Sequence, residues 1–543
     1  MTLKIAVAQL NLTAGDIAGN ARQIVAAAQV AHAGGARLLL TPPGSVCGYI
    51  AGEGALRPSF IAACDDAVKT IACQTAGLTG LAIVLGHPAH SGTHANAASV
   101  IGDGRVIDTC AKRLQPDSAL LDAPSSHAPG YESCVFEVEG VRVGLLLCDE
   151  ACFEADAQLA QEVGAELLAV LNAAPFYIGQ SAAREATMAG CAPIIGLPLV
   201  DVHLVGGEGA AVFAGRSFAV NAHGQLAGRA RSFVEQMFYV DVARTHAGLR
   251  LAADIAPARE PDADLWDALV TGLRDYAHKH GFKSAVLGLS GGIDSALVLA
   301  LAVDALGRQQ VSTVMMPSPY TAGISLEDAR EMARRLGVRH DEISILPVFE
   351  SFKQSLRPLF DGKPEDTTEE NLQARIRGVL LMALSNKHGH LLLSTGNKSE
   401  SATGYCTLYG DTCGGFAPIK DVVKTTVFRL ARWRNAHDPY GTGADPIPER
   451  IITRAPSAEL RPDQKDQDSL PPYAVLDAII EGYIENGMEI DDLVAQGLNR
   501  DEVEKFVRLF EASEYKRQQS AVGTRVTRCG FDWRYPMAGK LKG

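Results

Sequence analysis

The sequence has no apolar run long enough to cross a bilayer, no low-complexity tract and no Cys-x-x-Cys pair among its 11 cysteines. The first absence excludes a helical membrane protein. The second excludes a fibrous or largely disordered chain. The third leaves scattered cysteines, most of them in apolar segments, which read as free thiols of a reducing cytoplasm. Basic charge is also short: 50 Lys and Arg against 63 Asp and Glu leave a net charge of −13. Phosphate-backbone binding needs basic surface, so nucleic acid is not expected as a partner. The opening MTLKIAVAQLNL alternates like a strand and lacks the shape of a signal peptide, so a cytoplasmic protein is expected. No Gly-Lys-Ser/Thr closes a Walker loop either. What the sequence does have is 543 residues, 47% of them apolar, enough for two or three domains with cores of their own.

One stretch organises the rest. Residues 284–306 read SAVLGLSGGIDSALVLALAVDAL. The spacing predicts a strand over 285–289 and a buried helix over 296–306. Between them stand Ser290, Gly291, Gly292, Ile293, Asp294 and Ser295. The glycines let the backbone turn tightly against a ligand, and the helix aims its free N–H groups and positive dipole end into the turn. That is an anion cradle of the kind that holds phosphates. Asp294 at its mouth makes sense beside a polyphosphate if Mg²⁺ lies between them, taking oxygens from both. The plainer reading is a Ser/Asp helix start after a glycine turn. The full string LSGGIDSA resembles the pyrophosphate loop of the ATP-pyrophosphatase enzymes, which adenylate a carboxyl or carbonyl group.

Before this stretch, short apolar runs alternate with Ala-rich helical ones. Strands are expected over 3–10, 37–41, 81–86, 98–101, 142–147 and 167–171, and helices over 20–33, 58–75, 154–164 and 181–189, which suggests a layered α/β domain. The segments AKRLQPD, GVRVGLLLCDEACF, GAELLAVLNAAPF and HLVGG resemble, in order, the nitrilase/carbon–nitrogen hydrolase family. That resemblance implies an αββα sandwich over 1–245. It also implies a glutamate base, a lysine matching Lys112 and a nucleophilic cysteine matching Cys148. A cysteine at a strand end beside a lysine suits a thiolate nucleophile; Cys148 reads equally as a small buried side chain. The resemblance departs where chemistry needs it. Pro43 stands in the glutamate's place and can neither accept nor pass a proton. Ser118, Ala174 and Gln180 replace the tyrosine, serine and lysine of related glutaminase pockets. Glu53, Asp149 and Glu150 are nearby carboxylates from which a substitute base can come.

Residues 246–264, with PAREPDAD, read as a linker, and 265–543 as a second domain. A helix over 265–280 leads into the glycine loop. A strand over 311–316, an amphipathic helix over 325–336 capped by Ser325, and a strand over 341–345 mark a doubly wound parallel sheet, with ligands expected at the C-terminal strand ends. In 367–384, Leu372, Ile376, Val379 and Leu380 share an apolar face, leaving Asn371 and Arg375 on another. HLLLSTGNKSE ends a strand in a polar turn carrying Thr395 and Glu400, and Glu400 is either a second magnesium carboxylate or an acid favoured by a helix start.

SGGIDSA, EDTTEENLQARIRG, TGNKSE, LYGD, PSAELRPDQKDQDSLPPY and EYKR recur in the order found in the two-domain NAD⁺ synthetase family, which the chain resembles closely. The resemblance implies ATP contacts from Ser290, Gly291, Gly292, Ile293, Asp294, Ser295, Thr395, Lys424 and Ser457. Magnesium is implied at Asp294 and Glu400, deamido-NAD⁺ contacts at Asn371, Glu400 and Lys516, and a homodimer through the second domains. The implied reaction adenylates the nicotinate carboxylate of deamido-NAD⁺ and then replaces AMP with ammonia. With Pro43, Ser118, Ala174 and Gln180 in the first domain, the ammonia is expected from outside, not from glutamine. The alternatives are a fully glutamine-dependent enzyme using Lys112, Cys148 and a substitute base, a nitrilase-type amidase, a non-catalytic nucleotide binder, and a related enzyme with another carboxyl substrate.

Overall fold

A computed structural model describes residues 2–50, 57–90, 94–113, 134–147, 153–462, 464–468 and 470–530. The chain falls into two compact units, residues 1–208 with 212–261, and residues 209–211 with 262–543.

The first unit is built on two sheets. One has seven strands in the order Gly248–Ala252, Gln236–Thr245, Thr2–Gln9, Leu38–Leu40, Ala82–His90, His94–Gly102, Arg105–Arg113. The other has six, Leu226–Arg229, Phe218–Val220, Leu199–His203, Leu167–Asn172, Val141–Leu147, Cys134–Val138. Side chains alternate across each strand, and both faces are buried. Leu3, Ile5 and Val7 meet Val143, Leu145 and Val200 in the core between the sheets. Ala6 and Ala8 pack outward with Ile24, Ala28 and Ile71 of helices Ile17–Ala33 and Pro58–Gln74. On the far side, Leu146, Leu168 and Val170 pack with Ala157, Ala160, Met188 and Ala192 of helices Phe153–Glu162 and Gln180–Ile195. The result is the expected helix–sheet–sheet–helix sandwich.

Several local readings change. Gly248–Ala252, inside the stretch read as a linker, pairs with Gln236–Thr245 as an edge strand. The short strands after residue 195 carry no long apolar run and escape a pattern search. Cys110 and Cys134 are bonded, with Cα atoms 5.8 Å apart. They join the outer strand of one sheet to the outer strand of the other, contrary to the reading of free thiols throughout. Their spacing of 24 residues gives no sequence signal; only the pairing of two sheet edges brings them together.

The second unit holds a parallel sheet in the order Arg339–Glu342, Val311–Met315, Ala285–Gly288, Leu391–Leu393. Val286, Val314 and Leu392 pack on Phe349 and Ile376, from helices Leu346–Phe360 and Thr367–His388. Val379, expected on that apolar face, is exposed instead. Helix Ile293–Leu306 is buried at every residue except Asp294 and Leu306, as its apolar composition requires. Helix Gly323–Leu336 begins two residues before the expected Ser325, which is not its cap; Ala322 occupies that position. Leu476, Ile480, Phe506 and Phe510 centre a smaller helical cluster. From strand Ala285–Gly288 the chain steps outward through Val311–Met315 to Arg339–Glu342, then crosses back to Leu391–Leu393 on the other side, so the winding reverses between Ala285–Gly288 and Leu391–Leu393. A crevice opens at the carboxyl end of a strand at such a switch point.

Candidate active site

The chain after Ala285–Gly288 enters that crevice. Gly291 has φ +80°, and a Cβ there would run into the Ser325 carbonyl oxygen, so glycine is required on both counts. Two hydroxyls close the loop. Ser295 Oγ accepts from Ser290 N at 3.2 Å and donates to Gly292 O at 3.0 Å, while Ser290 Oγ accepts from Gly292 N at 3.2 Å. Gly292 caps helix Ile293–Leu306 without a side-chain hydrogen bond. The first free N–H groups of that helix therefore point at whatever fills the loop.

A second strand end faces it. After Leu391–Leu393 the chain turns through Thr395 to Asn397, which caps helix Lys398–Thr403 by a reciprocal pair with Glu400. Asn397 Nδ2 also donates to Asp294 Oδ1 at 2.8 Å. The carboxylates of Asp294 and Glu400 converge on the buried ammonium of Lys424, at 2.6 and 3.1 Å. Burial alone would lower the lysine's pKa; the two carboxylates override it and raise it. Enclosure raises the Glu400 carboxyl to about 7, with Lys424 pulling it down and Asp294 pushing it up. The Tyr473 ring lies 5.2 Å from Lys424 Nζ, and its hydroxyl donates to Asp466 at 2.8 Å.

A cavity of about 320 Å³ joins these groups. It is lined by Ser290, Gly291, Gly292, Ile293, Asp294, Ser295, Thr395, Glu400, Lys424 and Ser457, so one space gathers every residue expected at the nucleotide. Asn371 and Lys516 are not on that lining. Asn371 accepts from the Thr407 hydroxyl at 2.7 Å, and Lys516 donates to the carbonyls of Gly404 and Cys406 at 2.7 and 2.8 Å. Both brace the segment that carries Tyr405 and Cys406 into the cavity wall.

Charged lining residues that escaped sequence reasoning include Arg377, Asp411, Arg454, Glu459 and Asp466. Arg454 donates to Ser325 Oγ and to Glu459 Oε1, both at 2.7 Å. Burial lowers the Arg377 pKa to about 10, still charged at neutral pH, and raises the Asp411 carboxyl to about 6. All but Arg454 lie inside strings that were recognised; only the fold turns their side chains inward.

In the first unit, Pro43 is buried just past strand Leu38–Leu40, with Gly86 packed against its Cα. Lys112 lies on strand Arg105–Arg113, opposite Asn96. Ala174 donates its N–H to Asn172 Oδ1 at 3.0 Å, and the buried Gln180 opens its helix. Cys148, Ser118, Glu53, Asp149 and Glu150 lie outside the described residues.

Comparison with known proteins matches residues 265–520 to the NAD synthase family model and residues 4–249 to the carbon–nitrogen hydrolase model. A glutamine-dependent NAD(+) synthetase of Acinetobacter baylyi is 43% identical, over 99% of this chain and 98% of its own length. One from Xanthomonas campestris is 44% identical over 100% and 98%. The chain belongs to the glutamine-dependent NAD⁺ synthetase family. The solved structure of the Acinetobacter baumannii glutamine-dependent NAD⁺ synthetase, in complex with ADP, superposes with a TM-score of 0.77 at 38% identity, covering 99% of this chain and 98% of that one. Members of the NAD⁺ synthetase family are carbon–nitrogen ligases, and the cavity described above lies within the segment that matches the synthase model.

Proposed function

We propose that the chain makes NAD⁺ from deamido-NAD⁺ in the second unit's cavity. ATP phosphates lie on Ser290–Ser295 with Thr395, Lys424 and Ser457 around them, and the ammonia comes from outside the chain. The observation that carries the reading is the uncapped end of helix Ile293–Leu306, with its own Asp294, opening onto the same cavity as Glu400 and Lys424. ADP in the Acinetobacter baumannii relative supports an adenine nucleotide here.

Asp294 and Glu400 fit a magnesium ion, because they already converge on a single cationic atom, Lys424 Nζ. Magnesium takes carboxylate and phosphate oxygens together and, when bound, supplies charge neutralisation for phosphoryl transfer. The chain's own groups do the rest. A nicotinate carboxylate oxygen attacks the α-phosphorus, and the bond to the β-phosphate's bridging oxygen breaks, releasing pyrophosphate. The helix N–H groups and Lys424 offset the charge gathered as two anions meet. Ammonia nitrogen then attacks the acyl carbon of the adenylate, AMP leaves with the shared oxygen, and the nitrogen loses a proton. Positioning and charge compensation suffice, with no covalent intermediate on the protein.

External ammonia is supported by Pro43, Ala174 and Gln180. No carboxylate stands at position 43 to take a thiol proton, and the position is buried with Gly86 against it. A homodimer is supported by exposed Val348, Phe352, Leu359 and Val379 on helices Leu346–Phe360 and Thr367–His388; light scattering measures it. The deciding experiment supplies ATP, Mg²⁺ and deamido-NAD⁺ with either ammonium or glutamine. NAD⁺ and AMP are expected with ammonium and not with glutamine. Efficient formation from glutamine alone overturns the external source, and no AMP under either condition overturns the reaction.

A further inference from the structure

Lys424 has two claims on it. Its Nζ is 2.6 Å from Asp294 Oδ2 and 3.1 Å from Glu400 Oε1, and these are the two carboxylates that fit a divalent ion. Asp294 Oδ1 and Glu400 Oε2 already accept from Asn397, so an ion held at about 2.0–2.1 Å by the remaining oxygen of each has to take the space the ammonium fills. The two cations exclude each other. We propose that Lys424 is the resident cation of the metal site, exchanged for Mg²⁺ as the nucleotide enters, so that metal is admitted with the triphosphate and not ahead of it. The inference rests on the reading of Asp294 and Glu400 as metal ligands.

Three observations support an exchange over a fixed structural ion pair. The backbone under Lys424 is pinned: its N–H donates to Ser399 Oγ at 2.9 Å, and the next N–H donates to Asp477 Oδ2 at 2.7 Å. The start of helix Lys424–Ala436 therefore stays put while the side chain swings. Lys424 and the phosphate loop line one cavity, so phosphate oxygens can receive the displaced ammonium, and its charge goes from carboxylate to phosphate without passing through bulk water. Finally, Asp294 and Glu400 are partly buried and share one cation, and leaving a buried charge unmatched is strongly destabilising, so the ammonium leaves only as another cation arrives. An ammonium keeps the empty site neutral enough to fold. Free Mg²⁺ must then compete with a tethered cation, whereas Mg²⁺ arriving on a triphosphate brings the ammonium's next partner with it.

The test uses Mn²⁺ as the probe, followed by electron paramagnetic resonance, on the full chain with and without α,β-methylene ATP, which cannot lose pyrophosphate. Lys424→Met removes the ammonium, and Lys424→Gln keeps a stem that can hydrogen-bond both carboxylates if the methionine variant does not fold. Without nucleotide, either variant is expected to bind Mn²⁺ at least about tenfold more tightly than the unaltered chain, within the usual range for coupled sites. Mn²⁺ should raise the variant's melting temperature more than the parent's. Adding Asp294→Asn should abolish the gain. If the variant binds Mn²⁺ no more tightly while Asp294→Asn still weakens Mn²⁺ binding in the presence of the analogue, the exchange is refuted and the metal ligands stand. If Asp294→Asn changes nothing even with the analogue, the metal-site reading falls, and the exchange with it.

Discussion

Asn397 reaches a carboxylate 103 positions earlier in the chain: its Nδ2 donates to Asp294 Oδ1 at 2.8 Å while its Oδ1 accepts from Glu400 N. One amide thus fixes a helix start and the rotamer of the acid facing it. Asn397→Ala removes a cap, worth about 1 kcal/mol, and frees Asp294 to rotate. A lower melting temperature together with a more than tenfold fall in ammonium-dependent NAD⁺ formation is expected, because misplacement by about 1 Å can cost 10²-fold. A stability loss with unchanged turnover would separate the cap from the positioning role.

The two loop glycines should respond differently. Gly291 has φ +80° and no room for a Cβ, whereas Gly292 has φ −92° and a Cβ there would lie 3.3 Å from its nearest neighbour, Ser290 Oγ. Gly291→Ala is expected to cost about 1–3 kcal/mol from the left-handed backbone alone, with a raised KM for ATP. Gly292→Ala should be the milder in urea unfolding. Equal effects would mean that the loop relaxes around either side chain.

Asp411 gives a pH signature. Its buried carboxyl is raised to about 6, above the unfolded value of about 3.9. The fold holds this proton more tightly, so the stabilisation is complete below the unfolded value and is lost as pH rises through about 6. Asp411→Asn should flatten the decline in unfolding free energy between about pH 4 and 6, as read from urea titrations across that window. A variant profile parallel to the parent's would place the titration elsewhere.

Lys398 is fully buried against Asp421 at 2.6 Å, Thr527 Oγ1 at 2.8 Å and Glu485. Asp421 in turn accepts from the N–H groups of Val526 and Thr527 at 2.8 Å. Lys398→Met strands two acids, and about 3–5 kcal/mol should be lost. Limited proteolysis should show new cleavage near residues 520–530. An unchanged digestion pattern would count against the clamp.

Placing an acid at position 43 is expected not to bring glutamine into use. Pro43→Glu puts a carboxylate at a buried position, with Ala174 and Gln180 still in place. Glutamine-dependent NAD⁺ formation should stay at background while ammonium-dependent formation continues. Recovery on glutamine would mean that the base alone was lacking.

The glycine loop was legible because everything it needs is local: an apolar strand, two glycines and an apolar helix within 23 consecutive residues, 284–306. Its helix begins at Ile293, three residues before the apolar run. The Asp294–Asn397–Lys424 constellation was legible only as separate strings, since hydrogen bonds across 103 and 130 positions have no sequence periodicity. Arg377 and Arg454 were missed for the same reason. Ser325 looked like a cap because serine before an amphipathic run usually is one, yet its hydroxyl donates to Glu459 at 2.7 Å, a partner 134 positions later. Edge strand Gly248–Ala252 was hidden by the charged, proline-containing stretch after it.

Helix Ile293–Leu306, sunk in its unit with only Asp294 and Leu306 unburied, has no surface along which to fray. Beyond the free N–H groups of its first turn, its amide hydrogens should trade for deuterium only when the whole unit opens. Their exchange rates then serve as a built-in gauge, slowing by a factor of one plus the ratio of free nucleotide to Kd even at amides remote from the cavity, so that affinity can be read without following turnover.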